Sequence, residues 1–266
     1  PYSFCNLSEC VVRESDSLDD LKQKIRIATI LGTLQSTLTD YKYLRKIWKD
    51  NAEEERLLGV SLTGIMDHPV LSKNVDSKRW LDELREYAVE VNKSFANSIG
   101  INQSVAITCV KPSGTVSQLT DSASGIHARH NDYYIRTVRG DNKDPLTQFL
   151  INTGVYNEPE HNKPDSTTVF SFPTKAPDGA VTRKSMSSVE QLELWKTYAL
   201  HFCEHKPSVT ITVKEHEWME VGSWVYENFD VASGVSFLPY DDHTYEQAPY
   251  QDIDKDEYSE WMLAYG

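Results

Sequence analysis

Apolar positions recur along the chain at two periods, and the order in which the periods alternate predicts the fold class. Residues 3–13 carry apolar and β-branched side chains and read as a strand. Leu18, Leu21, Ile25, Ala28, Leu31, Leu34 and Leu38 then fall on one face of a long helix, with Ser17 and Asp20 suited to its start. Residues 57–65 form a second strand, rich in small residues, which implies a closely packed neighbour. Trp80, Leu84, Tyr87, Val91 and Phe95 mark another helix that Gly100 ends. It delivers the chain into an apolar run at 105–110, a Pro112-Ser113-Gly114 turn and a helix opening over 115–119.

Further along, residues 133–139 and 167–172 read as strands, with a short helix between them that begins at Asp144-Pro145 and closes at Gly154. Ser188 and Gln191 form a capping box for a helix whose face is Leu192, Trp195, Ala199 and Phe202. A strand at 208–213, a helix carrying Trp218, Val221, Val225 and Phe229, and a last strand at 235–239 complete the pattern. About six strands alternate with about six helices, which predicts an α/β fold of parallel β-α-β units, half or more of a barrel or a doubly wound sheet. From Tyr240 onward the composition turns acidic and Tyr-rich. The expected division is residues 1–239 as the folded body and 240–266 as a surface extension with a short helix near 257–263.

Length and charge narrow the function classes. The chain has 266 residues, 39% hydrophobic and 25% charged, enough for one large domain or two small ones. No apolar run approaches a membrane span, and no secretory signal is visible at the N-terminus. The first residue is Pro1 and not Met, so a split or cut chain is the expectation. A formal net charge of −13 argues against binding the nucleic-acid backbone, which needs clustered Lys and Arg. Four scattered cysteines, Cys5, Cys10, Cys109 and Cys203, suit neither a disulfide framework nor a Cys-based zinc site and point to a reducing cytoplasm.

Three stretches carry candidate chemistry. The strand, turn and helix opening around Ser113, Gly114 and Thr115 present free backbone N–H groups to an anion, and the hydroxyls add donors. An ordinary turn before a capped helix shows the same string. In Ser124-Gly125-Ile126-His127-Ala128-Arg129-His130, two histidines and an arginine suit an anion, a metal or a solvated loop. His201 and His205 stand four apart without an HExxH pattern, and a solvated face is the stronger reading. Cys5 and Cys10 fall on opposite faces of one strand.

Taken together, Ser3-Phe4-Cys5-Asn6-Leu7, Gly59-Val60-Ser61-Leu62-Thr63-Gly64, Lys111-Pro112-Ser113-Gly114-Thr115-Val116-Ser117, Ser124-Gly125-Ile126-His127, Tyr133-Tyr134-Ile135-Arg136, Pro207-Ser208-Val209-Thr210, Lys214-Glu215-His216-Glu217-Trp218 and Ser236-Phe237-Leu238-Pro239 resemble, in order, the adenosylcobalamin-dependent (class II) ribonucleotide reductases. The monomeric ribonucleoside-triphosphate reductase type is the nearest match. The resemblance implies a ten-stranded α/β barrel of two five-stranded halves, of which this chain supplies mostly the second. It implies adenosylcobalamin as cofactor, a ribonucleoside di- or triphosphate as substrate and a thioredoxin-like reductant. A thiyl radical would remove the ribose 3′ hydrogen, and two cysteines would supply the electrons.

Residue by residue, Pro112, Ser113, Gly114, Thr115 and Val116 match the family's substrate-phosphate loop, and Cys5 matches a reducing cysteine of its active-site disulfide. Cys10, Cys109 and Cys203 match no redox position and are expected to pack. The family's radical cysteine lies in an Asn-x-Cys-x-Glu motif just before the Phe4-Cys5-Asn6-Leu7 strand, and the partner of Cys5 lies further upstream. The expectation is therefore a reductase whose N-terminal half is a second chain. A non-catalytic nucleotide-binding remnant and a reductase with a separate metal radical subunit are the alternatives. Asp241-Asp242-His243-Thr244-Tyr245-Glu246 lacks the glycine of an Asp-x-His-x-x-Gly string, so no cobalamin contact is assigned.

Overall fold

The computed structural model describes residues 2–240 and 246–265. The first strand, β1 (Asn6–Val11), leads to helix α1 (Leu18–Gln35). Ser17 caps α1, accepting from the Asp20 N–H while Asp20 accepts from the Ser17 N–H in return. Helix α2 (Lys46–Glu55) ends at Arg56, and β2 (Leu58–Thr63) follows. Its six residues are all buried, as in a central strand covered on both faces. Helix α3 (Ser77–Ile99) stops at Gly100, whose φ of 73° is the left-handed cap that glycine adopts without strain. Strand β3 (Thr108–Cys109) and the single turn α4 (Val116–Leu119) enclose the Pro-Ser-Gly turn.

The middle of the chain holds β4 (Tyr133–Asp141), α5 (Pro145–Asn152), β5 (Asn157–Pro159) and β6 (Thr167–Lys175). Then come α6 (Ser188–His201), β7 (Val209–Val213), α7 (Trp218–Glu227), β8 (Val235–Pro239), β9 (Tyr250–Asp252) and α8 (Lys255–Tyr265).

Strands β1, β2 and β3 form one parallel sheet, with Leu7 opposite Gly59 and Ser61 opposite Cys109. Strands β7 and β8 form a second parallel pair. Backbone bonds join the two: the Glu204 and His205 N–H groups both donate to the Thr108 carbonyl, and the Ser208 N–H donates to Val110. The segment leading into β7 thus ties together two separate parallel sheets, β1-β2-β3 and β7-β8. Helices α1 and α3 cover them through Leu21, Ile25, Leu81 and Leu84, and α6 and α7 through Trp195 and Trp224. Each such fully buried side chain contributes about 1.5–3 kcal/mol.

The remaining strands correct the expectation of uniform parallel alternation. Strands β5, β6, β4 and β9 form a four-stranded antiparallel sheet, in which Arg136 faces Phe172 and Asp141 faces Thr167. In β4, Tyr134, Ile135 and Thr137 are buried, whereas Val138 and Arg139 toward its end are exposed. Residues 246–265 contribute β9 to this sheet and pack α8 on it, Trp261 and Tyr265 meeting the Tyr156 ring at 4.7 and 5.1 Å.

Two local readings also shift. The capping box of α6 is Ser187 with Glu190, one residue earlier than expected. Ser188 is fully buried and donates to Glu217 and to the Thr212 carbonyl, tying α6 to β7. The mainly polar helix α2, with only Ala52 fully buried, carried too weak an apolar face to be read from sequence.

Candidate functional site

The turn after β3 opens on a cavity of about 410 Å³ lined by Leu7, Glu9, Gly59, Ser61 and residues 111–116. Pro112, Gly114, Thr115 and Val116 are exposed, and Ser113 is buried. Among the described residues, the N–H groups of Gly114, Thr115 and Val116 make no hydrogen bond. They are donors open to an anion. A Cβ built on Gly114 meets nothing within 4 Å, so the loop is open at that point.

Ser113 is different. Its hydroxyl donates to Glu9 Oε2 at 3.0 Å and accepts the Ser117 N–H at 3.1 Å. It fastens the loop to β1 and to α4, leaving the Thr115 hydroxyl as the exposed side-chain donor.

The loop is held from behind by the 121–127 segment. Ser124 Oγ accepts the Ser113 N–H at 3.0 Å, and Thr63 Oγ1 accepts the Gly125 N–H at 2.8 Å. Gly125 has φ 55°, and a Cβ there would stand 2.5 Å from the Lys111 carbonyl. Only glycine permits that approach. Arg129 locks the same segment in place. Its Nε and one amino group grip both Asp67 oxygens at 2.9 Å, and its other amino group meets Asp121 Oδ1 at 2.8 Å. Burial works against the Arg129 charge, but the bonds to Asp67 outweigh it and raise its pKa.

The three chemistry-bearing residues of that stretch line a cavity of about 300 Å³, and each also has a partner within the fold. His127 is half-buried between the Ser124 carbonyl and the Thr210 N–H, which donates to its Nε2 at 3.0 Å. Burial pushes its pKa down, as expected for a neutral ring with one donor and one acceptor nitrogen. His130 Nε2 lies 2.8 Å from Asp252 Oδ1 on β9. Helix α6 ends at His201, which bonds Asp82 at 3.0 Å, so His205 lies beyond the helix and not on a shared face with it.

Cys5 sits just before β1 with an exposed, free thiol. Cys5, Leu7 and Glu9 alternate along the same side of the strand, and Cys10 is buried on the other, as the spacing predicts. A Cβ on Gly59 would stand 3.0 Å from Cys5 Sγ and 3.3 Å from Cys109 Sγ, so this glycine makes the space in which the thiol lies. Although the residue is exposed, its sulfur rests on β2. Desolvation there pushes the thiol pKa up, and the Lys111 charge works in the opposite direction. Cys10 and Cys109 are pushed to about 12 by burial, inert thiols that pack.

Sequence reading passed over Glu9, Lys111 and Ser124 as site residues. Glu9 was signalled by its period-two relation to Cys5, Lys111 by its place at the turn, and Ser124 only by the fold. Burial raises the Glu9 pKa, partly offset by its bond to Ser113.

No family model matches the chain. Curated relatives do. The adenosylcobalamin-dependent ribonucleoside-triphosphate reductase of Euglena gracilis is 28% identical over 97% of this chain and 35% of its own length. That of Lactobacillus leichmannii is 27% identical over 96% of this chain and 38% of its own length. A probable enzyme of the same name from Dictyostelium discoideum is 26% identical over 97% of this chain. A solved B-12 dependent (class II) ribonucleotide reductase superposes with a TM-score of 0.85 at 23% identity, over 99% of this chain and 40% of that one. The chain spans little more than a third of the length of the curated relatives it matches. The likeness read from the motifs is borne out: over nearly its whole length the chain is similar in sequence to the adenosylcobalamin-dependent ribonucleoside-triphosphate reductases and in fold to a class II ribonucleotide reductase.

Proposed function

We propose that the chain is the C-terminal part of an adenosylcobalamin-dependent ribonucleotide reductase and that it completes its site with an N-terminal part bearing an Asn-x-Cys-x-Glu motif. The observation that carries this reading is the exposed Cys5 thiol on the same strand face as the open 112–116 loop. The two parallel sheets, β1-β2-β3 and β7-β8, support one half of a ten-stranded barrel, and β1 is an edge strand of its sheet. A groove of about 610 Å³ runs beside β1, lined by Leu7, Ile27 and Leu31 of β1 and α1, where strands and helices of the other half would seat. Free cysteines suit a reducing cytoplasm.

In this reading the N–H groups of Gly114, Thr115 and Val116 and the Thr115 hydroxyl donate to the phosphates of a ribonucleoside di- or triphosphate. Pro112 fixes the backbone entering the turn, and Ser113 holds it against Glu9. Lys111 adds positive charge beside the cavity. Cys5 gives up its thiol hydrogen and one electron, and a cysteine of the N-terminal part gives the same, so that one disulfide forms per nucleotide reduced. A thioredoxin-like dithiol restores both thiols. Among the described residues no cradle is assigned to the cofactor. When bound, adenosylcobalamin supplies that radical by homolysis of its cobalt–carbon bond.

The test mixes this chain with an N-terminal half, adenosylcobalamin, a ribonucleotide and a dithiol, and measures deoxyribonucleotide. Product is expected with the native chain. Cys5→Ser is expected to abolish repeated turnover, and full turnover by that variant would remove Cys5 from the redox step. Nucleotide binding without product in every combination would favour a non-catalytic remnant.

A further inference from the structure

Cys5 has an ionisable neighbour that neither the motifs nor the loop accounts for. His205 Nε2 lies 3.9 Å from Cys5 Sγ, across 200 residues of sequence. The imidazole is brought there by β3. The His205 N–H donates to the Thr108 carbonyl at 3.0 Å, and Glu204, the residue before it, accepts the Ile107 N–H on its carboxylate at 2.9 Å. The thiol is brought there by the missing side chain of Gly59. Two separate elements thus converge on one sulfur–nitrogen contact.

We propose that His205 is the proton acceptor for Cys5, converting its thiol to thiolate for exchange with a disulfide. The proposal rests on the reading of Cys5 as a redox thiol and adds the group that activates it. Thiolate, not thiol, is the nucleophile in exchange. Desolvation against β2 holds the proton on Cys5, and Lys111 favours the thiolate by its charge. An imidazole within hydrogen-bond reach is the side chain that exchanges a proton near neutral pH.

In turnover the reducing dithiol attacks the Cys5 disulfide, and Cys5 leaves as thiolate and takes its proton from the His205 imidazolium. In the reverse direction, which a disulfide reagent reads out, the Cys5 proton passes to Nε2 and the Sγ lone pair attacks one sulfur of that disulfide. The new S–S bond forms as the old one breaks. The leaving thiolate takes its proton from the imidazolium or from water, so Cys5 is oxidised to a mixed disulfide and the leaving sulfur is reduced to a thiol. Besides His205 and Lys111, Cys109 on β3 faces Cys5. Glu9 acts on Cys109, the Glu204 carboxylate is turned to Ile107, and Lys206 is exposed.

The experiment follows the reaction of the 266-residue chain with 5,5′-dithiobis(2-nitrobenzoate) across pH, reading released thionitrobenzoate. Cys5→Ser identifies the fast phase, since the other three cysteines are buried. His205→Gln is expected to slow that phase at pH 7 by at least about tenfold and to move its midpoint upward, and added imidazole is expected to restore part of the rate. An unchanged rate and midpoint in His205→Gln overturns the proposal, as does a profile that moves in Cys109→Ala but not in His205→Gln.

Should His205→Gln fail to fold, the native chain still decides. Alkylating Cys5 with iodoacetamide is expected to shift the NMR titration of one histidine, and no shift in any histidine overturns the proposal. None of these readings uses nucleotide turnover, so they stand or fall separately from the reductase assignment.

Discussion

Arg129 looks like a ligand residue in the sequence and is a structural one in the fold. Its guanidinium and the Asp67 carboxylate are each less than 5% exposed, and Asp67 also accepts the Ala123 N–H. Removing Asp67 leaves the buried guanidinium with only the exposed Asp121 to offset its charge, and breaking a buried pair typically costs about 3–5 kcal/mol. Asp67→Asn is therefore expected to lower thermal stability by that order in calorimetry and to loosen the 121–125 segment that backs the phosphate loop. A melting temperature equal to the native chain's would contradict this account. The arginine itself was legible, but its partner was not. Asp67 and Arg129 lie 62 residues apart, and no local pattern connects them.

At the scale of elements, the periods read from the sequence predicted most helices and strands because each buries a continuous face. The long helices with Leu or aromatic stripes and the strands before and after them are found nearly where expected. What failed was sheet direction and the weakly patterned pieces. Hydrophobic period fixes which side of a strand is buried but not which neighbour it pairs with, so β4 and β6 read as members of a parallel series and are antiparallel. The glycines of Gly59-Val60-Ser61-Leu62-Thr63-Gly64 acquire separate reasons. Gly64 has φ 84°, and a Cβ there would stand 2.4 Å from the Val12 carbonyl oxygen. Gly59 makes room instead for Leu7, Cys5 and Cys109. Gly59→Ala is expected to cost about 1–3 kcal/mol by overpacking and to change the reactivity of Cys5 toward thiol reagents. Native-like stability and reactivity together would show that the strands move apart freely.

For the molecule as a whole, the C-terminal segment is docked by charges that titrate. Asp252 on β9 meets His130, Arg183 at 3.4 Å and Lys184 at 2.6 Å. Burial, and then the Arg183 charge, depress the His130 pKa to about 4. An unfolded imidazole titrates near ~6.5, so between these values the unfolded chain binds a proton that the folded chain refuses. That contribution to stability is complete above about pH 6.5 and is lost as pH falls toward 4, amounting to about 3 kcal/mol at most. His130→Gln is expected to flatten this part of the acid-unfolding curve. An unchanged slope between native and variant would show that His130 does not govern it. Asp252, which Lys184 and its neighbours hold below the usual carboxylate range against the effect of burial, loses its contribution at lower pH.

By itself the sequence determined the mixed α/β character, the strand, turn and helix around Ser113, Gly114 and Thr115, and the placement of Cys5 and Cys10 on opposite faces of one strand. Each of these follows from local sterics or from a two-residue or 3.6-residue period, which the chain carries within a few residues. Tertiary structure decided the rest. It spent the Ser113 hydroxyl on Glu9, paired His127, Arg129 and His130 with Thr210, Asp67 and Asp252, laid β9 against β4, and set His205 beside Cys5. These outcomes depend on contacts between residues 60 to 200 positions apart. Burial gives a polar group no choice but to find such a partner, and the partner's identity is written only in the packing.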